Sequence, residues 1–226
     1  MSTHQVPPKH LVIFGRPGSG KSSLAERLSK DDGYLLVRTG EMLRAVVRSG
    51  SELGLRIGAS LERGELVSDE LIIELLEQNL VRPEEQRLIF DGYPRTLRQE
   101  ELLEQFEERL QFEIDCFLEI RLSRESAIRR MGGRRVCPTC GATYHLLSRP
   151  PAVAEVCDQC KGALATRSDD SEAVITFRQR VYDDHVPPII DRIMSRTPEL
   201  FRWVDGEGGP DETYARTRQV LGLPPL

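Results

Sequence analysis

The eight residues from Gly15 to Ser22, Gly-Arg-Pro-Gly-Ser-Gly-Lys-Ser, satisfy the GxxxxGK motif closed by a hydroxyl residue. A short apolar run, Leu11 to Phe14, precedes them, and Leu24, Ala25 and Leu28 follow at helical spacing. The pattern reads strand, glycine loop, helix, which is the context in which the motif carries chemistry. Glycines let successive backbone N–H groups curl around phosphate oxygens, the helix N-terminus adds partial positive charge, and Lys21 reaches the β- and γ-phosphates. Ser22 or Ser23 can face magnesium. A glycine-rich turn could arise here by chance. Strand, loop, lysine, hydroxyl and helix in one register argue instead for a bound nucleoside triphosphate.

Further short apolar runs lie at Leu35 to Val37, Leu88 to Phe90, Cys116 to Ile120 and Phe201 to Val204, separated by stretches with helical periodicity. Strands alternating with helices predict βαβ units and an α/β fold with a parallel sheet. Ser68 is placed to cap a helix from Asp69 to Leu80, and Arg98 to Leu110 predicts another, buried through Leu102, Phe106 and Leu110. Glu172 to Ser195 is helical in pattern but holds Pro187 and Pro188, so a kink or break is expected there. Two segments fit the sheet poorly and read as insertions: Thr39 to Val67, helical and punctuated by glycine, and Gly133 to Asp170, rich in cysteine and proline.

Composition narrows the class. The 36 acidic and 31 basic side chains give a net charge of −5, without the basic surplus of a protein that coats nucleic acid. The longest apolar run, near Leu71 to Leu76, falls far short of the roughly 20 residues a membrane span needs. Met1 to His10 holds two prolines and no apolar signal-peptide core, which predicts a disordered tail and a cytoplasmic location. No apolar seam stands out, so a monomer is expected.

Cys137-Pro-Thr-Cys140 and Cys157-Asp-Gln-Cys160 form two CxxC knuckles sixteen residues apart. That spacing suits a tetrahedral four-thiolate zinc site with no open position, hence a structural metal. A disulfide pair is the alternative, disfavoured in a reducing compartment. Cys116 sits in a strand-like run and reads as a small buried apolar residue. His145 is near the quartet, but four thiolates already complete a shell. Arg44, Arg95, Arg130, Arg134, Arg167 and Arg178 cluster near insertion boundaries and strand ends, where transfer between two phosphate tails would need forked cations. Asp91 follows the third strand directly and could order a magnesium shell or cap a helix.

Taken together, GRPGSGKSS, RTGEMLR (38–44), SGSELG (49–54), ELVSDEL (65–71), DGYPRT (91–96) with Gln99, GGRRVCPTCGATYH (132–145) and RSDD (167–170) resemble adenylate kinase in its long-lid, zinc-bearing bacterial form. The resemblance runs from Leu11 to about Gly208. It implies a P-loop NTPase-type core (10–226) with a five-stranded parallel sheet flanked by helices, after a tail of residues 1–9. It also implies an AMP-binding insertion at 38–67 and a zinc-bearing lid at 133–170. By resemblance, Gly18, Ser19, Gly20, Lys21, Ser22, Ser23, Arg134, Thr143, Tyr144 and the backbone near Gly208 would hold ATP. Thr39, Arg44, Glu65, Leu66, Val67, Gly92, Tyr93, Pro94, Arg95 and Gln99 would hold AMP. Arg130, Arg167 and Arg178 would neutralise the phosphoryl group in flight, the last two also touching AMP. Glu41 and Glu65 depart from the residues usual there, as do Ser22 and Ser23.

The implied reaction is reversible transfer of the ATP γ-phosphoryl to AMP, giving two ADP, with magnesium entering on ATP, one structural zinc per chain, and no nucleic-acid or membrane partner. The alternatives are a kinase for another nucleoside monophosphate and a nucleic-acid-binding ATPase that grips with its zinc ribbon.

Overall fold

The computed structural model describes residues 6–63, 67–80, 82–146, 149–166 and 171–224. Five strands, β1 (His10–Gly15), β2 (Leu35–Arg38), β3 (Leu88–Asp91), β4 (Cys116–Arg121) and β7 (Phe201–Asp205), form one sheet in the order β2-β3-β1-β4-β7, every pair parallel. These are the five apolar runs anticipated from sequence. β1 is buried along its whole length, because helices cover both faces of the sheet and every side chain needs apolar company.

One core lies on the face carrying Val12, Phe14, Phe90 and Phe117, packed by α4 (Asp69–Asn79), α5 (Leu97–Leu110) and α7 (Glu172–Arg196). The other carries Leu11, Ile13, Leu118 and Val204 beneath α1 (Lys21–Asp32) and α8 (Pro210–Val220). Because the strands run in parallel, their C-terminal ends share one edge of the sheet, where ligands of such folds bind. Gly15, Arg38, Asp91 and Asp205 stand there.

Both insertions leave from that edge. After β2, helices α2 (Thr39–Arg48) and α3 (Glu52–Arg63) form a pair. A Cβ on Gly54 would stand 2.4 Å from the Val46 carbonyl oxygen, so only glycine permits this approach. After β4, α6 (Arg124–Gly132) leads into a two-stranded antiparallel hairpin of β5 (Arg134–Val136) and β6 (Thr143–His145) that opens the cysteine-bearing segment.

Four details differ from the sequence reading. α7 runs unbroken through Pro187 and Pro188. The prolines are exposed, so water can reach the carbonyls they free, while Val186, Ile189, Ile190 and Ile193 are buried and fix the helix by packing. In α5, Leu103 rather than Leu102 enters the core beside Phe106. Ser68 occupies the N-cap position of α4, but its side chain makes no capping bond. Pro8 and Lys9, inside the stretch expected to be a disordered tail, are tied down. The Tyr34 hydroxyl and Arg87 donate to the Pro8 carbonyl, and the Lys9 amide donates to Asp115 Oδ2 at 2.8 Å.

Candidate active site

The loop between β1 and α1 has the backbone that anion binding requires. Gly18 and Gly20 lie at φ 92° and 91°, and the Ser19 amide closes a turn on the Arg16 carbonyl at 2.9 Å. Gly18 is also sterically required, since a Cβ there would stand 2.6 Å from the Ala127 carbonyl oxygen of α6. The loop therefore presses directly on the helix that leads to the cysteine-bearing insertion. Ser19 is buried, whereas Ser22 is exposed and Ser23 half-buried at the start of α1.

Lys21 is the centre of the charge pattern. Burial pulls its pKa from 10.5 to about 8, Asp91 opposes that shift, and Arg95, Arg178 and Arg134 reinforce it. Five groups from α1, the end of β3, the loop after it, β5 and α7 thus act on one another across a cleft. Its walls include Gly15, Pro17, Gly92, Pro94 and Tyr182. Burial also lowers the pKa of Arg95, with Asp91 working against it. Lys21, Arg95, Arg134 and Arg178 gather positive charge at this cleft, an arrangement that suits a polyphosphate.

On the β2–β3 side the loop from Gly92 to Gln99 is internally braced. Thr39 Oγ1 donates to the Gly92 carbonyl at 3.0 Å, and Arg95 Nε donates to the same oxygen at 2.7 Å. Gln99 Oε1 accepts the Arg95 amide at 2.7 Å, Gln99 Nε2 donates to Asp69 Oδ1 at 2.8 Å, and the Tyr93 hydroxyl donates to the Gln99 carbonyl. Gln99 and Tyr93 are buried and brace this loop. Arg44 folds back over Gly40, and Glu41 pairs with Arg38 at 2.9 Å. Val67 packs against the main core. Glu65, Leu66 and Arg167 lie outside the described residues.

At the other end of the cleft, Arg130 Nη2 donates to the carbonyls of Gly206 and Gly208, each at 2.9 Å. Its head is thus committed to the loop between β7 and α8. Glu207 braces that loop by accepting the Ser123 amide at 3.0 Å and the Ser126 hydroxyl at 2.9 Å, which caps α6.

Cys137, Cys140, Cys157 and Cys160 bring their sulfurs within 4.8 Å of one another. Both knuckles share one backbone plan: the Gly141 and Lys161 amides bond to the Cys137 and Cys157 carbonyls at 2.9 Å, and Cys137 and Cys157 donate to Ala142 and Gly162 at 2.8 Å. Amides of Thr139 and Cys140 point at the Cys137 sulfur, and those of Gln159 and Cys160 at the Cys157 sulfur. The Tyr144 hydroxyl, with these amides, holds the Cys157 thiol down at about 6, and the amides hold Cys137 down as well. Burial and the neighbouring sulfurs push Cys140 and Cys160 up, so the thiolate is favoured at the first cysteine of each knuckle. Four cysteines so arranged can hold a metal ion. Tyr144 is buried with its hydroxyl 3.4 Å from the Cys157 sulfur, so its side chain serves the cysteine cluster. His145 packs its ring on Gly133, away from the sulfurs.

Sequence reasoning missed Asp69, Glu207 and Asp183. Asp183 pairs with Arg16 of the glycine loop and, at 3.4 Å, with Arg124 of α6. Asp69 lies within the quoted segment 65–71 but nothing local assigns it a partner, Glu207 and Asp183 lie in no quoted motif, and each meets a partner at least 30 residues away in the chain.

Comparison with known proteins agrees with this geometry. A family model described as adenylate kinase matches residues 13–197. An adenylate kinase of Bacillus licheniformis is 36% identical over 214 residues, covering 94% of this chain and 98% of its own. One of Carboxydothermus hydrogenoformans is 37% identical over 93% of this chain and 98% of its own. One of Archaeoglobus fulgidus is 39% identical over 80% of this chain and 84% of its own.

Proposed function

This chain belongs to the adenylate kinase family, whose reaction is the reversible transfer of the terminal phosphoryl group of ATP to AMP to give two ADP, and from that premise we propose how its own residues divide the work. The observation that carries the reading is Lys21 set among Asp91, Arg95, Arg134 and Arg178, residues drawn from distant parts of the chain. Gly18 to Ser23 hold the ATP phosphates with backbone N–H groups and the Lys21 ammonium. Arg134 and Thr143 close over ATP from the lid, and the Gly206–Gly208 loop takes its base, with Arg130 at that end of the cleft. Arg44, Val67 and the braced loop from Gly92 to Arg95 receive AMP. Gln99, Thr39 and Tyr93 hold that loop in shape.

The acceptor is already an anionic phosphate oxygen, so neither a general base nor a covalent enzyme intermediate is required. What the residues supply is alignment of two phosphate tails and a field of fixed positive charge for the phosphoryl group in transit. Arg95 and Arg178, which flank Lys21, are the groups assigned to that charge. Closure over the cleft excludes water, which would otherwise take the phosphoryl group.

Asp91 and the serine hydroxyls offer only hard oxygen donors at the loop, which suits magnesium carried in with ATP. When bound, it shields charge between the phosphates. The four thiolates suit zinc, one per chain, and its work in the lid is structural. The reading extends to a monomer that acts in the cytoplasm without a nucleic-acid partner, supported by the acidic balance and by the absence, among the described residues, of a helix long and apolar enough to cross a membrane.

The test is an ADP-forming assay with magnesium, ATP and each of AMP, GMP, CMP and UMP in turn. ADP formation with AMP far above the rest supports the proposal. An equal or higher rate with another monophosphate overturns the acceptor, and no ADP with any of them overturns the reaction.

A further inference from the structure

We propose that Gln179 is a positioning residue that locks the Pro17–Gly18 peptide of the glycine loop in the orientation ATP binding needs. The proposal rests on the reading of that loop as the ATP site and goes on to name what fixes its backbone.

A phosphate cradle works only if N–H groups face the anion and carbonyl oxygens face away, because a carbonyl turned inward repels phosphate. In a trans peptide the C=O and the N–H point in opposite directions. Pinning one therefore aims the other. Gln179 Nε2 donates to the Pro17 carbonyl oxygen at 2.8 Å, and Gln179 is completely buried on α7. The Pro17 oxygen is thus held on the protein side, which turns the Gly18 N–H of the same peptide the other way. Gly18 cannot hold this orientation unaided, since glycine at φ 92° is the residue with the greatest backbone freedom.

The same amide reaches a third element. Gln179 Nε2 lies 3.5 Å from Met131 Sδ, and Met131 is buried in α6 directly before Gly132 and Gly133, where the lid begins. Met131 in turn packs on Gly18, since a Cβ at Gly18 would stand 3.0 Å from Met131 Cγ. One buried side chain therefore ties the loop, the root of the lid and α7, whose Arg178 lines the cleft. Gln179 Oε1 is buried without a hydrogen-bond partner among the described residues, so the residue is not there to satisfy both ends of its amide. Such a burial is unfavourable, and an apolar side chain of the same size would pack at least as well. Only the donor end makes a bond that shape alone does not explain.

The test compares wild type with Gln179→Met, similar in shape but without the donor, and Gln179→Glu, which sets an oxygen against the Pro17 oxygen. ATP and AMP binding are measured separately by calorimetry, alongside the unfolding temperature. Loss of one orienting hydrogen bond predicts ATP binding about tenfold weaker in Gln179→Met, and at least as weak in Gln179→Glu. AMP binding should stay within about twofold, and the unfolding temperature of Gln179→Met should change little, since losing the bond to the Pro17 carbonyl and removing the unpartnered Oε1 act in opposite directions. ATP affinity unaltered in both variants overturns the proposal. So does a parallel fall in ATP and AMP affinity with a lower unfolding temperature, which marks a packing role. Failure of wild type to bind ATP would instead refute the reading of the loop itself.

Discussion

The two insertions grow from the same edge of the sheet and are held in shape by different means. The α2–α3 pair is an extension of the main core: Leu43 and Ile57 are buried in it, and Met42, Val46 and Val47 pack alongside. The cysteine-bearing insertion shares no such core. Among the described residues its only buried cluster is Cys137, Tyr144 and Cys157, with Ala142 and Leu164 against it. Three-residue strands and so small an apolar cluster do not stabilise a fold on their own. On the proposed reading the cysteine-bearing insertion draws its stability from a metal held by its four cysteines, whereas the α2–α3 pair draws it from its neighbours. One lobe can therefore be melted chemically without the other, and the α2–α3 pair cannot be loosened without loosening the core.

Lys21→Ala, which lies between the lobes, should have the largest effect on turnover. Removing a charge aimed at the transferring group lowers kcat by about a hundred- to a thousandfold, while both lobes stay folded by circular dichroism. Near-normal turnover would remove the loop from the mechanism. Stripping the metal with a chelator, or replacing Cys137 and Cys140 by Ser, should next unfold the lid alone. Structural zinc contributes on the order of 10 kcal/mol in small peptides, so losing even a third of that lowers the first calorimetric transition by roughly 10 °C. Amide exchange should rise in 134–166 and stay unchanged in 39–58. Equal exposure of both segments would break the contrast.

Leu43→Ala supplies the converse. A buried leucine deleted from a shared core costs about 2–5 kcal/mol, and the loss should appear in the single global transition with metal content unaffected. A separate early transition confined to α2 and α3 would show that this lobe stands alone. The smallest effect is in proton linkage. The Lys21 ammonium of the free protein loses its proton near pH 8, well below its usual 10.5. Phosphates favour the charged form, so ATP binding takes up protons, roughly half a proton per ATP at pH 8, and ATP affinity declines as pH rises past 8. Calorimetry in two buffers of different ionisation enthalpy measures this uptake. None at all would mean that the triphosphate does not sit against Lys21.

Much of this was legible because it is local. The five sheet strands each announce themselves as a short apolar run; the central three do so because both faces of the sheet are covered there, while edge strands β2 and β7 each bury only Val37 or Val204 and leave Leu35 and Trp203 exposed. The glycine loop and the paired knuckles are fixed spacings that the sequence displays directly. The lid strands were not legible: Arg134–Val136 and Thr143–His145 alternate around a single buried residue, Tyr144, and carry no apolar signal. The brace on Gln99 was hidden for another reason. Asp69 lies 30 residues away in the chain, and only the packing of α4 on α5 brings the pair together. Pro187 and Pro188 misled because local propensity forbids what four buried aliphatic side chains of α7 enforce.

The strand order has a practical corollary. β1 is central, the α2–α3 lobe follows edge strand β2, and the lid follows β4 on the opposite side of β1. Each lobe is thus a detour that the chain enters and leaves on its own flank of the sheet. The cysteine-bearing lobe, which shares no core with the sheet, is the one open to grafting from a relative, and a fluorescent dye pair with one label on each lobe would report their approach in single molecules.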